Sequence, residues 1–295
     1  MRVLVTGAGG QLGQAMQRAA PSRVDLTAAT RADLDIADRR SVEACFRGAL
    51  PEVVINTAAF TQVDAAESDV MAAERTNVEG VRLLAEACRG RGARLIHVST
   101  DYVFGGEQES PYRPGDQPRP LSVYGRTKWA GEQRAREILP GASIVVRTSW
   151  LYSATGRNFV TRMLELMNRV PTLRVVNDQF GVPTAVASLA RVLWAFARSP
   201  TSGIYHWSDA GPTTWYQFAR AIADEGLALG LVAKAPEIVP IESHEYPTAA
   251  RRPRNSVLDT SETQAVLGFG AVPWRTALGD TLREIADRKS GNAHP

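Results

Sequence analysis

The sequence predicts an α/β protein: a doubly wound parallel sheet with a second, smaller α/β lobe. Three observations carry that reading. Short apolar runs alternate with amphipathic, helix-spaced segments from residue 2 to residue 150. The runs are apolar throughout rather than at every second position, a pattern suited to a sheet covered by helices on both faces. The first run also passes directly into a glycine-spaced turn that opens a helix.

The elements follow in order. RVLVTG (2–7) is the first strand and QLGQAMQRAA (11–20) a helix, followed by a strand at RVDLTAAT (23–30) and a helix at RRSVEACFRGA (39–49). EVVINTAA (52–59) is the third strand, and 69–92 reads as one long helix stopped by glycine. RLIHVST (94–100) is a strand, YGRTKWAGEQRAREIL (124–139) a helix and SIVVRTSW (143–150) a strand. After Trp150 the rhythm breaks. NFVTRMLELMNRV is helical, LRVVNDQFGVPT a strand and turn, VASLARVLWAFAR a helix and GIYHWSD a strand. The helix TWYQFARAIADEG, the loop YPTAARRPRNS and two short helices near 261–267 and 274–287 complete the chain, which has no internal repeat.

Composition narrows the function classes. Of 295 residues, 44% are hydrophobic and 22% charged, ordinary for a globular protein. A net charge of +3, scattered along the chain, does not describe a nucleic-acid surface, and RRPR (251–254) lacks interleaved aromatics. No apolar run approaches the roughly 18 residues that a membrane span needs. Cys45 and Cys88 read as buried free thiols, and His97, His206, His244 and His294 show no ligand spacing. The expectations are a cytoplasmic protein that binds neither nucleic acid nor membrane and requires no metal.

TGAGGQLG places Gly7, Gly10 and Gly13 in G-x-x-G-x-x-G spacing between a strand and a helix. That position suits a tight turn, close backbone approach to a pyrophosphate, and close packing of helix on sheet, as in Rossmann dinucleotide sites. The second strand ends in Ala29, Thr30 and Arg31 with no acid to grip ribose hydroxyls. This favours tolerance of the NADP 2′-phosphate, with NADH possible as a second cofactor. Asp35 and Ile36 offer an acid and an apolar side chain for an adenosine. The division expected is 1–153 and 184–209 for dinucleotide binding, with 154–183 and 210–295 as a substrate-binding lobe.

Tyr124 and Lys128 lie four apart on a helix, hence on one face. Lys128 is one of three lysines among 34 basic residues. A compact ammonium can lower a nearby phenol's pKa and reach ribose hydroxyls, so the phenol can act as a general acid toward a carbonyl. Thr100 supplies a hydroxyl at the end of another strand.

With the glycine loop, Ser99–Thr100 and Tyr-x-x-x-Lys, the chain resembles the extended short-chain dehydrogenase/reductases. STDYVFGG, VYGRTKWAGE, VVRTSWLY, VNDQFGVPT and GIYHWSDAGPTTWYQFA resemble, in order and over nearly the whole chain, segments of the dTDP-4-dehydrorhamnose reductase family. The resemblance implies reduction of the 4-keto group of a dTDP-sugar by NADPH, in nucleotide-sugar synthesis for cell-surface polysaccharide. It implies catalytic roles for Thr100, Tyr124 and Lys128, and cofactor contacts from Gly7, Gly10, Gln11, Leu12, Gly13, Arg31, Asp35, Ile36, Ala59, Phe60, Thr61 and Val98. The sugar pocket would take Val63, Thr100, Asp101, Tyr102, Tyr124 and Trp150. Arg251, Arg252 or Arg254 could pair with the diphosphate; the sequence does not choose among them, and Arg251 stands for the run.

Some members of the family dimerise through magnesium held by acids on the first helix and on the helix after Pro183–Thr184. Here those helices carry no acids, which predicts a monomer or a metal-independent homodimer. A dehydratase would place a second carboxylate after Asp101, where Tyr102 stands. Other 4-ketoreductases, an epimerase, and a non-catalytic NADP-binding subunit resembling the regulatory subunit of methionine adenosyltransferase are the competing readings.

Overall fold

The computed structural model describes residues 1–291. Its first half runs β1 (Arg2–Thr6), α1 (Gln11–Arg18), β2 (Asp25–Ala29), α2 (Arg39–Ala49), β3 (Val53–Asn56), α3 (Val63–Ser68) and α4 (Val70–Glu74). A π-helical turn at Arg75–Glu79 leads into α5 (Gly80–Arg91), β4 (Arg94–Thr100), a 3-10 turn at Asp101–Val103, α6 (Val123–Ile138) and β5 (Ser143–Thr148). The second half holds β6 (Leu151–Tyr152), α7 (Phe159–Met167), β7 (Thr172–Val176), β8 (Phe180–Gly181), β9 (Thr184–Ala185) and α8 (Val186–Arg198). It continues through β10 (Gly203–His206), β11 (Thr213–Thr214), α9 (Trp215–Ala228), β12 (Glu237–Ile241), α10 (Ser261–Leu267) and α11 (Trp274–Lys289).

Six strands form one sheet in the order β10-β5-β4-β3-β1-β2. Every pairing in it is parallel, as the doubly wound expectation requires. The chain reverses direction across the sheet between β1 and β3, and a ligand crevice belongs at the carboxyl ends of such strands. Helices α1 and α8 cover one face through Leu12, Met16, Leu189, Leu193 and Trp194. The other face takes Val42, Phe46, Leu84, Cys88 and Ala135 from α2, α5 and α6. Cys88 is buried as expected, whereas Cys45 is only half-buried.

A separate core built on Val160, Leu164, Leu173, Phe218, Ile222, Leu278 and Leu282 holds the smaller lobe. Its two-stranded parallel pair is β7 with β12. The sequence reading missed β12 because Pro240 interrupts it, and a proline that cannot donate is tolerated in a two-stranded edge. Residues 261–271, assigned by sequence to the smaller lobe, sit against the large sheet. Leu267, Phe269 and Ala271 join the core beneath α8, and the Thr263 hydroxyl donates to the His206 carbonyl at 2.6 Å.

The segment read as one helix over 69–92 is interrupted. The Asp69 carboxylate caps α4 through the Ala72 N–H at 3.1 Å, and the π turn adds a residue before α5. That bulge brings the Asn77 carbonyl against α6 so closely that a Cβ on Gly131 would lie 2.1 Å from it. Inserted turns of this kind concentrate at functional sites. Helix α6 is fixed at its start, where the Ser122 hydroxyl caps it through the Gly125 N–H at 3.1 Å. Farther along, Glu132 grips Arg147 of β5 at 2.7 Å with both side chains fully buried.

Candidate active site

A cleft of about 1020 Å³ opens at the carboxyl ends of β1, β3, β4 and β5, with Thr155–Asn158 and Trp215 of the smaller lobe on its opposite wall. Its phosphate end is the glycine loop. Gly7 has φ +68, and a Cβ on it would meet the Ala58 nitrogen at 2.7 Å. At Gly13 a Cβ would lie 2.3 Å from the Gly7 carbonyl, so α1 can approach the loop only with glycine there. The free N–H groups at the start of α1 face the cleft, a ready site for phosphate. The glutamines of α1 hold the surroundings. Gln14 and Gln17 donate to the carbonyls of Gly9 and Ala8 at 3.1 and 2.9 Å. Gln11 accepts from Ser153 at 2.7 Å and Asn158 at 2.9 Å, tying the loop to the far wall.

At the adenosine end the Asp33 carboxylate is occupied, accepting from the Thr30 N–H and hydroxyl at 2.9 and 2.7 Å. Arg31 lines the cleft, and among the described residues no carboxylate pairs with it. Asp35 lines the cleft but is paired with Arg75 at 2.9 Å. Ile36 is buried, its side chain occupying the space above Gly80. Ala59, Phe60 and Thr61 line the cleft after β3. The Asn77 amide holds that turn by accepting from the Phe60 N–H at 2.9 Å and donating to its carbonyl at 3.2 Å. Asn77 escaped the sequence reading because it lay inside what looked like a regular helix.

The structure brings Thr100, Tyr124 and Lys128 to the floor of this cleft. The Thr100 hydroxyl donates to Asp101 at 3.0 Å and accepts from the Tyr102 N–H at 3.1 Å. The Tyr124 phenol lies beside Thr100 and is packed edge-on against Tyr102, ring centroids 6.1 Å apart. One expectation is corrected here. Lys128 does not lower the phenol's pKa: burial pushes Tyr124 up to about 12, Thr100 offsets part of this and Asp101 adds to it. The lysine amine runs the other way, to the Val98 carbonyl at 2.7 Å and His97 Nε2 at 3.3 Å. Burial lowers Lys128 to about 8, with Glu132 opposing.

At the sugar end, Asp101 is buried and its carboxyl is pushed up to about 7 by burial, against the hydrogen bond from the Thr100 hydroxyl at 3.0 Å. Its second oxygen has no partner in the protein. Val63, Tyr102 and Trp150 line the cleft. Trp150 stacks on Trp215, centroids 3.5 Å apart, in a left-handed backbone conformation of φ 46. Arg251 and Arg254 are exposed, and none of the three arginines lines the cleft. Arg252 is the arginine turned inward. It pairs with Asp64 at 2.7 Å and also donates to the Thr248 hydroxyl at 2.6 Å.

The site fits a nicotinamide dinucleotide. Besides the phosphate cradle, the hydroxyls of Ser99 and Thr148 are buried, line the cleft and find no partner in the protein. Among the described residues no group of three or more His, Cys, Asp or Glu side chains could hold a metal; His294 lies outside them. No helix among them is long and apolar enough to cross a membrane.

A doubly wound sheet with this glycine loop, and with threonine, tyrosine and lysine at one cleft, defines a class: NAD(P)H-dependent oxidoreductases of the short-chain dehydrogenase/reductase type. A family model described as the RmlD substrate binding domain matches residues 1–287. The dTDP-4-dehydrorhamnose reductase of Streptomyces griseus is 42% identical over 296 residues, covering 97% of this chain and 95% of the relative. That of Aggregatibacter actinomycetemcomitans is 39% identical over 285 residues, 94% of this chain and 97% of the relative. A crystal structure of the Bacillus anthracis dTDP-4-dehydrorhamnose reductase in complex with NADP superposes with a TM-score of 0.89. It is 34% identical and covers 96% of this chain and 99% of its own. The chain belongs to the dTDP-4-dehydrorhamnose reductase family.

Proposed function

We infer that the protein reduces the 4-keto group of dTDP-4-dehydro-L-rhamnose to give dTDP-L-rhamnose, using NADPH, in nucleotide-sugar synthesis for cell-surface polysaccharide. The observation that carries this reading is that Thr100, Tyr124 and Lys128 line one end of a cleft whose other end is the glycine loop. The reduced nicotinamide supplies the hydride. Thr100 and Tyr124 hold the keto oxygen, and the Tyr124 O–H bond breaks as its proton passes to that oxygen, leaving a hydroxyl on the sugar and a phenolate on the protein. A phenol with a raised pKa is fully protonated at neutral pH, as a proton donor must be. The unpartnered oxygen of Asp101 is suited to a sugar hydroxyl, the Trp150 ring to the 6-methyl face, and Arg252 to the diphosphate.

Thr148 and Ser99 offer hydroxyls for the nicotinamide end, and Arg31 a charge for the 2′-phosphate. We place the protein in the cytoplasm, as a monomer or a homodimer that needs no metal. The test follows NADPH absorbance with dTDP-4-dehydro-L-rhamnose, its UDP and GDP counterparts, and NADH in place of NADPH. Turnover is expected with the dTDP sugar and NADPH. NADPH binding without consumption of any of these sugars would make the protein a binding subunit instead.

A further inference from the structure

Lys128 has a neighbour that the reaction just described does not use. His97, in the middle of β4, is fully buried, as are Asn56 on the adjacent β3 and Thr6 on β1 beyond it. Their hydrogen bonds fix one another. Ala58 donates its backbone N–H to Asn56 Oδ1 at 3.1 Å, and the Thr6 hydroxyl donates to the same oxygen at 2.6 Å. A backbone N–H can only donate, so the amide oxygen of Asn56 must face it. The amide nitrogen therefore faces His97 Nδ1, at 3.0 Å. An amide nitrogen is a donor only, so Nδ1 accepts and the imidazole proton sits on Nε2.

That proton points at the Lys128 amine, 3.3 Å away. An ammonium has three donors and no lone pair; a neutral amine has two donors and one. Only the neutral amine can accept from His97 Nε2–H while donating to the Val98 carbonyl at 2.7 Å. We propose that His97 and Asn56 favour the neutral amine of Lys128, which predominates in the cofactor-free protein at mildly alkaline pH, and that this neutral form takes up a proton from solvent when the nicotinamide cofactor binds. His97 and Asn56 are thus positioning residues. The proposal rests on the reading that Lys128 meets the cofactor, whose ribose oxygens accept hydrogen bonds and whose phosphates favour a cation.

The surroundings agree. Facing the amine from β4 is His97, and one turn on along α6 is Glu132, whose charge is already engaged by Arg147 of β5. Tyr124 and Asp101 lie toward the cleft, and the π turn and α5 set the uncharged Asn77 and Val81 against α6. Burial places the amine at about 8 and holds the imidazole well below its ordinary range, so the imidazole is neutral at pH 7 and the amine loses its charge as pH rises through about 8.

Two measurements test this. Nitrogen NMR of the cofactor-free protein is expected to show His97 protonated at Nε2 and not at Nδ1. Calorimetry of NADPH binding near pH 8, in buffers of different ionisation heat, is expected to show uptake of about half a proton, given an amine at about 8. NADPH affinity should fall as pH rises beyond that value. Asn56→Asp is nearly isosteric and still accepts from Ala58 and Thr6. It would also accept from His97 Nδ1–H, turn Nε2 into an acceptor for an ammonium, and bring uptake close to zero. His97→Gln, whose amide oxygen can face the amine, provides a second arm with the same expected loss. An unprotonated Nε2 in the wild type, or NADPH binding with no proton uptake, would overturn the proposal. Failure to bind NADPH at any pH would instead overturn the cofactor reading together with it.

Discussion

A phenol in a dry pocket keeps its proton, and at the scale of single residues that fact orders the site. Tyr124→Phe removes the donor but not the cofactor contacts, so kcat is expected to fall about a hundredfold or more while NADPH affinity stays near wild type. Retention of wild-type kcat would remove Tyr124 from its role. Asp101 makes a second prediction. Its carboxyl sits at about 7 in the folded chain against an ordinary 3.8. A folded pKa above the unfolded one gives stability that is present in acid and is lost as pH rises through about 7. Asp101→Asn keeps an acceptor for Thr100 but has no charge to bury, so its melting temperature should gain on the wild type as pH rises from 5 to 8. A constant difference across that range would show that the carboxyl is not titrating there. The pairing of Tyr124 with Lys128 was legible because a spacing of four is a helical property. The direction of the lysine was not, because the Val98 carbonyl and His97 meet it only through β4.

At the scale of elements, the loop and α1 act as one body. Gly13→Ala would place a methyl 2.3 Å from the Gly7 carbonyl, and backbone against backbone cannot yield cheaply. The helix must lift from the loop, and NADPH affinity is expected to drop at least about tenfold, since each such factor needs only about 1.4 kcal/mol. Unchanged affinity by fluorescence titration would show that the loop tolerates the displacement. Most strands and helices could be read from apolar periodicity, including 94–100 and 186–198 to the residue. Two features could not. The π turn at Arg75–Glu79 keeps an ordinary helical composition, and Gly131, whose close approach accompanies it, lies on another helix. Strand β12 depends on β7, some sixty residues away, and Pro240 hides it locally.

At the scale of the molecule, the two lobes meet through Gln11 with Asn158, and through Asp64 with Arg252. The helix pair α1 and α8 is committed internally. The Trp194 indole donates to the Met16 carbonyl at 3.0 Å, Ser188 accepts from Trp207, and the Arg191 guanidinium lies 4.1 Å from the centroid of the Phe269 ring. Chelation with EDTA is therefore expected to change neither turnover nor solution mass. A mass that halves in light scattering, or activity that returns only with magnesium, would contradict this. The alternation of strand and helix made the large sheet legible, but the seating of 261–271 on that sheet was not. Those residues follow a long stretch of the smaller lobe, and only the third dimension returns them.

Because β10 is the last strand of the six-stranded sheet to be made yet pairs with β5, a ribosome has released some two hundred residues before that sheet is complete. Until then β5 has a bare edge, and the face that α8 will cover is open to solvent. Exposed edges and apolar faces are where nascent chains stick to one another. A fragment ending at residue 153, although it contains the glycine loop, Tyr124 and Lys128, is expected to aggregate when expressed alone. A soluble, NADPH-binding fragment of that length would show that the late strand and its helix are dispensable. Growth of this chain is thus a race between its own third quarter and its neighbours.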